Sequence, residues 1–268
     1  MKKVKKPTII SINSEKGGVG KTTTAYNLAG ASVKLDKKVL LIDLDTQQNL
    51  SQSFWNEDED SNPTFAELLY NTVSSVKILN DEQIKSVIRH TSYGLDYCPC
   101  NKELLGTLAL MLDKNIFAVK NTLDCDIFKN YDLIILDTKN YLGGSLVPQA
   151  LAASDQTIIV TECGQYSFFG VGNTLDYIDN LKDKYDLDLK VCGVLVNKSP
   201  ARLSVSEMVK DALAEGYSEL IFKTMIPYRL SQTENAIRVQ KPCVFYKTNT
   251  LGSFYSQLAN EVMERIGG

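Results

Sequence analysis

The chain has 268 residues, with 29 Lys and Arg, 32 Asp and Glu and a single His, and 44% of its residues are hydrophobic. This composition is typical of a folded globular protein and excludes a disordered or fibrous chain. No run approaches the roughly 18 apolar residues of a spanning helix, and the basic N-terminus lacks the apolar stretch of a leader. With six scattered Cys, we expect reduced thiols and a cytoplasmic protein.

The formal net charge of −3 averages segments of opposite sign. Residues 1–48 carry 9 basic and 4 acidic side chains, residues 49–181 carry 8 and 18, and residues 182–247 carry 11 and 8. Surface potential depends on where each segment folds. The acidic total therefore does not exclude a nucleic-acid partner, but it predicts weak and salt-sensitive binding.

Short apolar runs alternate with helix-length amphipathic segments along the chain. The runs are rich in Val, Ile and Leu and nearly continuous, as is typical of parallel strands buried on both faces. We predict an α/β fold, a single domain over residues 1–268 with a doubly wound, mostly parallel sheet, helices on both faces and a basic arm at residues 1–7. The predicted strands are Thr8–Asn13, Lys38–Asp43, Gly94–Cys98, Asp132–Asp137, Gln156–Glu162, Leu189–Asn197 and Ile221–Ile226. The predicted helices are Thr22–Leu35, Pro63–Tyr70, Asp81–His90, Asn115–Phe128, Phe168–Lys184, Val205–Glu215 and Leu251–Ile266.

A glycine-rich loop joins the first strand to the first helix, with the sequence K-G-G-V-G-K-T-T at residues 16–23. Glycines let backbone N–H groups approach phosphate oxygens, and the positive end of the following helix adds its field. The loop predicts a phosphate site in which Lys21 reaches the phosphates and Thr22 binds Mg²⁺. The pattern G-x-x-x-x-G-K-[ST] is not met, because Glu15 stands at the first glycine position.

The second lysine, Lys16, lies five residues before Lys21. This variant resembles the deviant Walker A motif of the ParA/MinD family of P-loop ATPases, and the chain is closest in character to its ParA/Soj-like partition branch. The resemblance implies a slow, Mg²⁺-dependent ATPase and an ATP-dependent homodimer in which Lys16 reaches the partner subunit's nucleotide. It implies nucleotide contacts from the whole loop, namely Lys16, Gly17, Gly18, Val19, Gly20, Lys21, Thr22 and Thr23.

Carboxylates end two of the predicted strands, where ligands of open α/β sheets gather. Asp43 and Asp45 are two residues apart and share a strand face, and Asp137 ends a later strand. The resemblance implies that Asp45 positions the attacking water, beside Lys16 and Lys21 as catalytic residues. It assigns Mg²⁺ to Thr22, Asp43 and Asp137. Lys139-Asn140 stand where the family usually has Pro-Pro, a difference that concerns the control of hydrolysis.

The resemblance continues towards the C-terminus and implies the remaining partners. Asn197 would read the adenine edge, and the backbone of Pro227 would flank the base. The family resemblance implies nonspecific DNA binding, a ParB-like centromere-binding partner and nucleoid association with ATP bound. Segment 182–247 supplies the candidate DNA contacts, which are Arg202, Lys210, Lys223, Arg229, Arg238 and Lys241. The last helix lacks a Lys/Arg-rich face, so we expect no membrane attachment.

Two other functions remain open from the sequence. One is a P-loop ATPase switch that acts on a protein partner without DNA, which the low pI and Lys139-Asn140 would suit. The other is a metabolic kinase on the same fold, for which the sequence offers no recognisable acceptor-substrate pocket. Binding of nonspecific duplex DNA with and without ATP distinguishes the first alternative from a partition ATPase.

Overall fold

The computed structural model describes residues 6–54, 62–74, 79–113, 115–139, 146–164, 167–200 and 216–267. Over these residues the strands are β1 (Thr8–Asn13), β2 (Val39–Leu44), β3 (Arg89–His90), β4 (Leu95–Cys98), β5 (Leu133–Thr138), β6 (Gln156–Glu162) and β7 (Lys190–Asn197). They form one sheet in the order β3-β4-β2-β5-β1-β6-β7. Every pairing is parallel except β3 with β4. The predicted mostly parallel α/β sheet is confirmed.

Helices cover both faces of this sheet. In the described ranges they are α1 (Lys21–Val33), α2 (Asn49–Gln52), α3 (Phe65–Val73), α4 (Asp81–Ser86), α5 (Lys102–Leu112), α6 (Ala118–Leu123), α7 (Leu146–Ala153), α8 (Ser167–Tyr185), α9 (Leu230–Arg238) and α10 (Leu251–Gly267). None of the described helices has the length and apolar character needed to cross a membrane.

The central strands are buried on both faces, which explains their continuous apolar sequence. In β2, Leu41 belongs to the core cluster that contains Tyr255 of α10. Its neighbours Leu40 and Ile42 belong to the cluster on the other side, with Phe65 of α3. Strand side chains alternate between faces, so a strand between two helix layers needs apolar residues at nearly every position.

The predicted strand Ile221–Ile226 is wrong as an element. In the described structure, Ile221 forms only an isolated bridge with Val194. The N–H groups of Phe222 and Ile226 donate to carbonyls of β7, but between these two bonds side chains of α10 interrupt the ladder. Arg265 donates to the carbonyls of Leu220 and Ile221 at 3.0 and 2.8 Å, and Glu261 accepts from the backbone N–H of Lys223 at 2.7 Å.

Several helix boundaries also differ from the sequence prediction. The predicted helix Asp81–His90 ends at Ser86, and its last two residues form β3 instead. The predicted helix Asn115–Phe128 is reduced to α6, followed by a 3₁₀ turn at Phe128–Asn130. Helices α2, α5, α7 and α9 were not predicted. The predicted helix Val205–Glu215 lies outside the described residues.

Candidate functional site

The loop between β1 and α1 has the backbone shape that its glycines allow. Gly18 and Gly20 have φ of 76° and 94°, in the left-handed region that other residues rarely adopt. At Gly20 a Cβ would also overlap the side-chain amide of Asn197. A larger residue at Gly20 is therefore excluded by both conformation and space.

The N-terminus of α1 opens onto this loop, and no side chain of the part of the chain that the structure describes caps it. Gly20 is the N-cap residue, and the first turn has no acidic residue. The free N–H groups and the helix dipole at such an end attract anions. This arrangement suits a phosphate.

Lys21 begins α1 and is buried at the floor of the loop. Burial lowers the pKa of its ammonium group, while the nearby charges of Asp137 and Asp45 oppose that change. The strand ends thus supply the negative charge that compensates a buried cation. Lys21, Asp45 and Asp137 form one electrostatic group although they are far apart in the sequence.

Asp137 lies on β5 between two neighbouring strands, in register with Ile12 of β1 and Asp43 of β2. Its side chain is fully buried, and neither carboxylate oxygen has a hydrogen-bond partner in the described structure. Burial raises the pKa of Asp137 well above its usual range, and the charge of Asp43 adds to this, while the Thr22 hydroxyl and Lys21 oppose it. Thr22 and Lys21 compensate this buried carboxylate in part, and the remaining cost of burial is high, so this position fits a cation.

The residues present fit a magnesium ion in particular. Mg²⁺ prefers one or two carboxylates together with phosphate oxygens and water. Among the described residues no group of three or more His, Cys, Asp or Glu forms a closed metal site. Asp137 and Thr22 could therefore hold the ion only with oxygens supplied by a ligand, as a nucleotide would supply them.

Both oxygens of the Asp43 carboxylate accept hydrogen bonds from nearby residues. Its Oδ1 accepts from the backbone N–H of Asp45 at 2.9 Å, and its Oδ2 accepts from the N–H and the hydroxyl of Ser51 at 2.9 and 2.7 Å. Burial raises the pKa of Asp43 to about 6, although these hydrogen bonds oppose the rise. Asp43 thus anchors α2 to the end of β2, and its proposed place near Mg²⁺ is indirect.

A cavity of about 420 Å³ joins the loop to the end of β7 and to α9. It brings together eight of the residues predicted for catalysis and for nucleotide or Mg²⁺ binding, which are Gly18, Gly20, Lys21, Thr22, Thr23, Asp45, Asn197 and Pro227. The amide of Asn197 is partly engaged: its Nδ2 donates to the Val19 carbonyl and its Oδ1 accepts from the Lys198 N–H, both at 2.8 Å. One amide hydrogen and one oxygen lone pair remain for a base.

Lys16 lies apart from that cavity. Its side chain is 73% exposed, and its Nζ is 3.3 Å from Oε2 of Glu162. It lines a second cavity of about 190 Å³ together with Glu15, Glu162 and Cys163. The two lysines of the loop therefore face different surroundings, which is compatible with separate roles.

The candidate DNA contacts are not gathered at one element. Arg202 and Lys210 lie outside the described residues, as does Asn140. The other four candidates, Lys223, Arg229, Arg238 and Lys241, are exposed. Arg229 also lines the 420 Å³ cavity. Arg238 ends α9 and donates to Asn235 at 2.9 Å. The remaining two are Lys223 and Lys241, on either side of α9.

Three site residues escaped the sequence analysis: Ser51, Glu162 and Lys198. Ser51 holds Asp43 and also accepts from the Cys100 N–H at 2.8 Å. Glu162 and Lys198 are 3.3 Å apart at adjacent strand ends. Glu162 ends a predicted strand and Lys198 directly follows one, which was the available signal for these two, because strand ends surround the ligand in this class of fold. Ser51 follows no strand directly and gave no such signal.

Known proteins resemble this chain over nearly its whole length. The AAA domain family matches residues 7–191. The sporulation initiation inhibitor protein Soj of Bacillus subtilis is 30% identical over 259 residues, covering 95% of this chain and 97% of Soj. The chromosome partitioning protein ParA of Myxococcus xanthus is 30% identical over 263 residues, covering 96% and 88%. Cobyrinic acid a,c-diamide synthase from Mycobacterium smegmatis, solved with an ATP analogue and magnesium, superposes with a TM-score of 0.77 at 25% identity, covering 95% of this chain and 93% of that chain.

Proposed function

The chain belongs to the AAA domain family, in its ParA/Soj-like group of partition ATPases, and we propose that it uses ATP and Mg²⁺ to segregate DNA. The observation that carries the proposal is the buried Lys21 between Asp45 and the unpartnered Asp137, beneath a glycine loop with an uncapped helix end. This group of charges is incomplete without a cation and an anion. A magnesium–nucleotide complex supplies both.

Each residue has a defined part in the proposed reaction. The loop N–H groups and Lys21 bind the phosphates, and Asp45 orients the water that attacks the terminal phosphate. Mg²⁺, held through Thr22 and Asp137 with Asp43 behind them, would neutralise charge that develops on the phosphates. Rate enhancement would come from positioning and electrostatic stabilisation. Asn197 and Pro227 would hold the adenine, and we propose residues 1–268 as a single ATPase domain.

We infer that two ATP-bound chains form a dimer through the face that carries Lys16. Among the described residues, the exposed ammonium of Lys16 is held in its own subunit by a partly exposed ion pair with Glu162. Such pairs contribute roughly 0–1 kcal/mol. Lys16 can therefore move to a partner subunit's phosphate at small cost.

Replacing Lys16 with Ala is expected to abolish ATP-dependent dimers while changing monomer ADP affinity by less than about threefold, since Lys16 lies outside the 420 Å³ cavity. Light scattering after size-exclusion chromatography, with ATP and Mg²⁺, measures the dimer. Lys37→Ala is the matched control, because Lys37 lies between α1 and β2 and outside both cavities. Dimers that persist in Lys16→Ala would refute the role across subunits.

DNA binding is the experiment that tests the proposed function. We expect nonspecific duplex to be bound only with ATP, and affinity to fall more than about tenfold between 50 and 200 mM salt if three or more phosphates are contacted. Replacing both Arg238 and Lys241 with Ala should reduce the salt dependence, whereas Lys85→Ala on α4 should not. Gel shifts and fluorescence anisotropy measure both effects. ATP-independent or salt-insensitive binding would contradict the DNA role.

A second candidate is an ATPase switch with a protein partner and no DNA. Phe168 and Phe169, at the start of α8, are 39% and 66% exposed. Exposed aromatic side chains suit protein contacts better than phosphate contacts. An ATP-dependent dimer that fails to shift duplex DNA at 50 mM salt would favour this candidate. In the partition function, a centromere-binding protein would stimulate hydrolysis, and the ATP-bound form would associate with the nucleoid.

A further inference from the structure

Two side chains at the end of β7, those of Asn197 and Lys198, donate hydrogen bonds to backbone carbonyls of the phosphate loop. Asn197 donates through Nδ2 to the carbonyl of Val19 at 2.8 Å, and Lys198 donates through Nζ to the carbonyl of Gly18. These contacts join segments that are 178 and 180 residues apart. The two hydrogen bonds fix the carbonyls of two consecutive loop residues, Gly18 and Val19.

A held carbonyl determines the direction of the next amide. Peptide units are planar and trans, so the C=O of one residue and the N–H of the following residue point in opposite directions. The described residues contain no cis peptide bond. With the Gly18 and Val19 carbonyls turned towards β7, the N–H groups of Val19 and Gly20 are turned away from it. Lys198 and Asn197 thereby orient two amides of the anion-binding loop.

Lys198 is held in an unusual backbone conformation to do this. Its φ is 51°, in the left-handed region that non-glycine residues rarely adopt. Its own N–H donates to Oδ1 of Asn197 at 2.8 Å. A rare conformation persists where surrounding contacts determine it, and such positions cluster at functional sites.

Glu162 fixes the direction of the Lys198 side chain. Its Oε1 is 3.3 Å from Nζ of Lys198, and its backbone is in register with Asn197 across β6 and β7. The side chains of Glu162 and Lys198 are 27% and 38% exposed, so the pair is only partly open to solvent. The other oxygen of Glu162 engages Lys16. The nearby Glu15 carboxylate is engaged by Asn173.

We propose that Lys198, oriented by Glu162, is a positioning residue for nucleotide binding. It shapes the loop in the nucleotide-free protein by holding the Gly18 carbonyl, so the amide of Val19 is ready for phosphate beside the amide of Gly20, which Asn197 orients through the Val19 carbonyl. Less ordering is then needed when the ligand arrives. This inference rests on the proposed nucleotide binding at the loop.

Calorimetric titration with ADP tests the inference without requiring dimers or hydrolysis. Lys198→Met removes the charge but keeps an unbranched side chain, and Met must adopt the same left-handed backbone conformation. This change should weaken ADP binding about tenfold, or about 1.4 kcal/mol. Lys198→Arg should recover affinity to within about threefold of the wild type, because a guanidinium can donate to the Gly18 carbonyl oxygen and to Oε1 of Glu162 at once. Lys190→Met, at the other end of β7, is the matched control.

Glu162→Gln separates positioning from direct contact with the ligand. If Lys198 acts by positioning, this change should weaken ADP binding about threefold, and combining it with Lys198→Met should add almost nothing. If Lys198 instead binds the ligand directly, removing the competing carboxylate should leave affinity unchanged or increase it. The amide ¹H and ¹⁵N shifts of Val19 and Gly20 in the nucleotide-free protein should change in Lys198→Met and return in Lys198→Arg.

The outcomes distinguish this inference from the proposed function. A wild-type protein that binds no ADP would overturn both. A wild-type protein that binds ADP, with Lys198→Met binding within twofold of it, would overturn the positioning role alone. Amide chemical shifts of Val19 and Gly20 that stay unchanged in nucleotide-free Lys198→Met would also overturn the positioning role.

Discussion

Replacing Lys21 with Ala is expected to weaken ATP and ADP binding at least about 100-fold and to remove measurable hydrolysis. Lys21 is the buried cation at the floor of the phosphate loop, near Asp45 and Asp137. Charge-assisted hydrogen bonds to buried phosphate contribute about 1.5–3 kcal/mol each. Loss of one or two such bonds accounts for an effect of this size. Titration with a fluorescent ADP analogue and a steady-state phosphate assay measure it.

The Lys21 experiment needs a check on folding, because the change leaves Asp137 without its nearest opposing cation. Lys21→Gln keeps a hydrogen-bond donor without the charge, and thermal melts of both variants show whether the fold persists. Lys85→Ala on α4 removes an exposed lysine far from the loop and should match the wild type. A folded Lys21→Ala protein with near wild-type ADP affinity would contradict the assignment of the site.

Replacing Asp137 with Asn is expected to have two opposite effects. Hydrolysis should fall at least about 100-fold, because the carboxylate assigned to Mg²⁺ is lost. The nucleotide-free protein should instead melt about 2 °C or more above the wild type near neutral pH, because the folded wild type must protonate or ionise a fully buried carboxyl whose pKa is raised, and Asn removes that cost. Residues that serve a ligand at the expense of stability are common at functional sites.

The stability gain of Asp137→Asn should depend on pH in a defined direction. Burial and Asp43 raise the pKa of Asp137 in the folded state, so the folded protein binds this proton more tightly than the unfolded chain does. Wild-type stability is therefore lost as the pH rises from the unfolded value of about 4 through the folded pKa. Asn has no proton to lose, so the difference between the two proteins should be larger at pH 7.5 than at pH 5.

Calorimetric melts across this pH range measure the difference. Asp43, whose pKa is raised to about 6, interacts with Asp137, so the difference between the two curves reports the joint titration of the two carboxyls. Asp188→Asn, an exposed carboxylate before β7, is the control and should leave the melting temperature unchanged. An Asp137→Asn protein that is less stable than the wild type at every pH would show that Asp137 has a stabilising partner in the folded state.

The sequence alone was sufficient for the features that depend on neighbours in the chain. The glycine loop, Lys21 and Thr22 lie within a few residues and predict a phosphate site by their spacing, while the role of Lys16 followed from the family resemblance. Strands buried on both faces leave a continuous apolar pattern, so the mostly parallel sheet was predictable. The carboxylates Asp43 and Asp137 were recognisable because they end such strands.

Other features depended on strand order and long-range contacts. The sequence did not indicate that β1 lies between β5 and β6, which brings Asp137 beside Lys21. It did not indicate that Ser51 donates to Asp43, or that side chains of α10 interrupt the hydrogen bonding between β7 and residues 220–226. The predicted strand Ile221–Ile226 is interrupted for that reason: Phe222 and Ile226 donate to β7, but the N–H groups of Lys223 and Thr224 between them donate to Glu261 of α10.

One physical cause separates the features that the sequence predicted from those that the tertiary structure decided. Local conformation and burial pattern are set by adjacent residues, through backbone sterics and the periodicity of strand and helix. Charge compensation and the direction of a loop amide are set by atoms that meet only in the folded chain. The loop sequence determined that a phosphate could bind, and the ends of β5, β6 and β7 decided how Lys21, Lys16 and Lys198 are held around it.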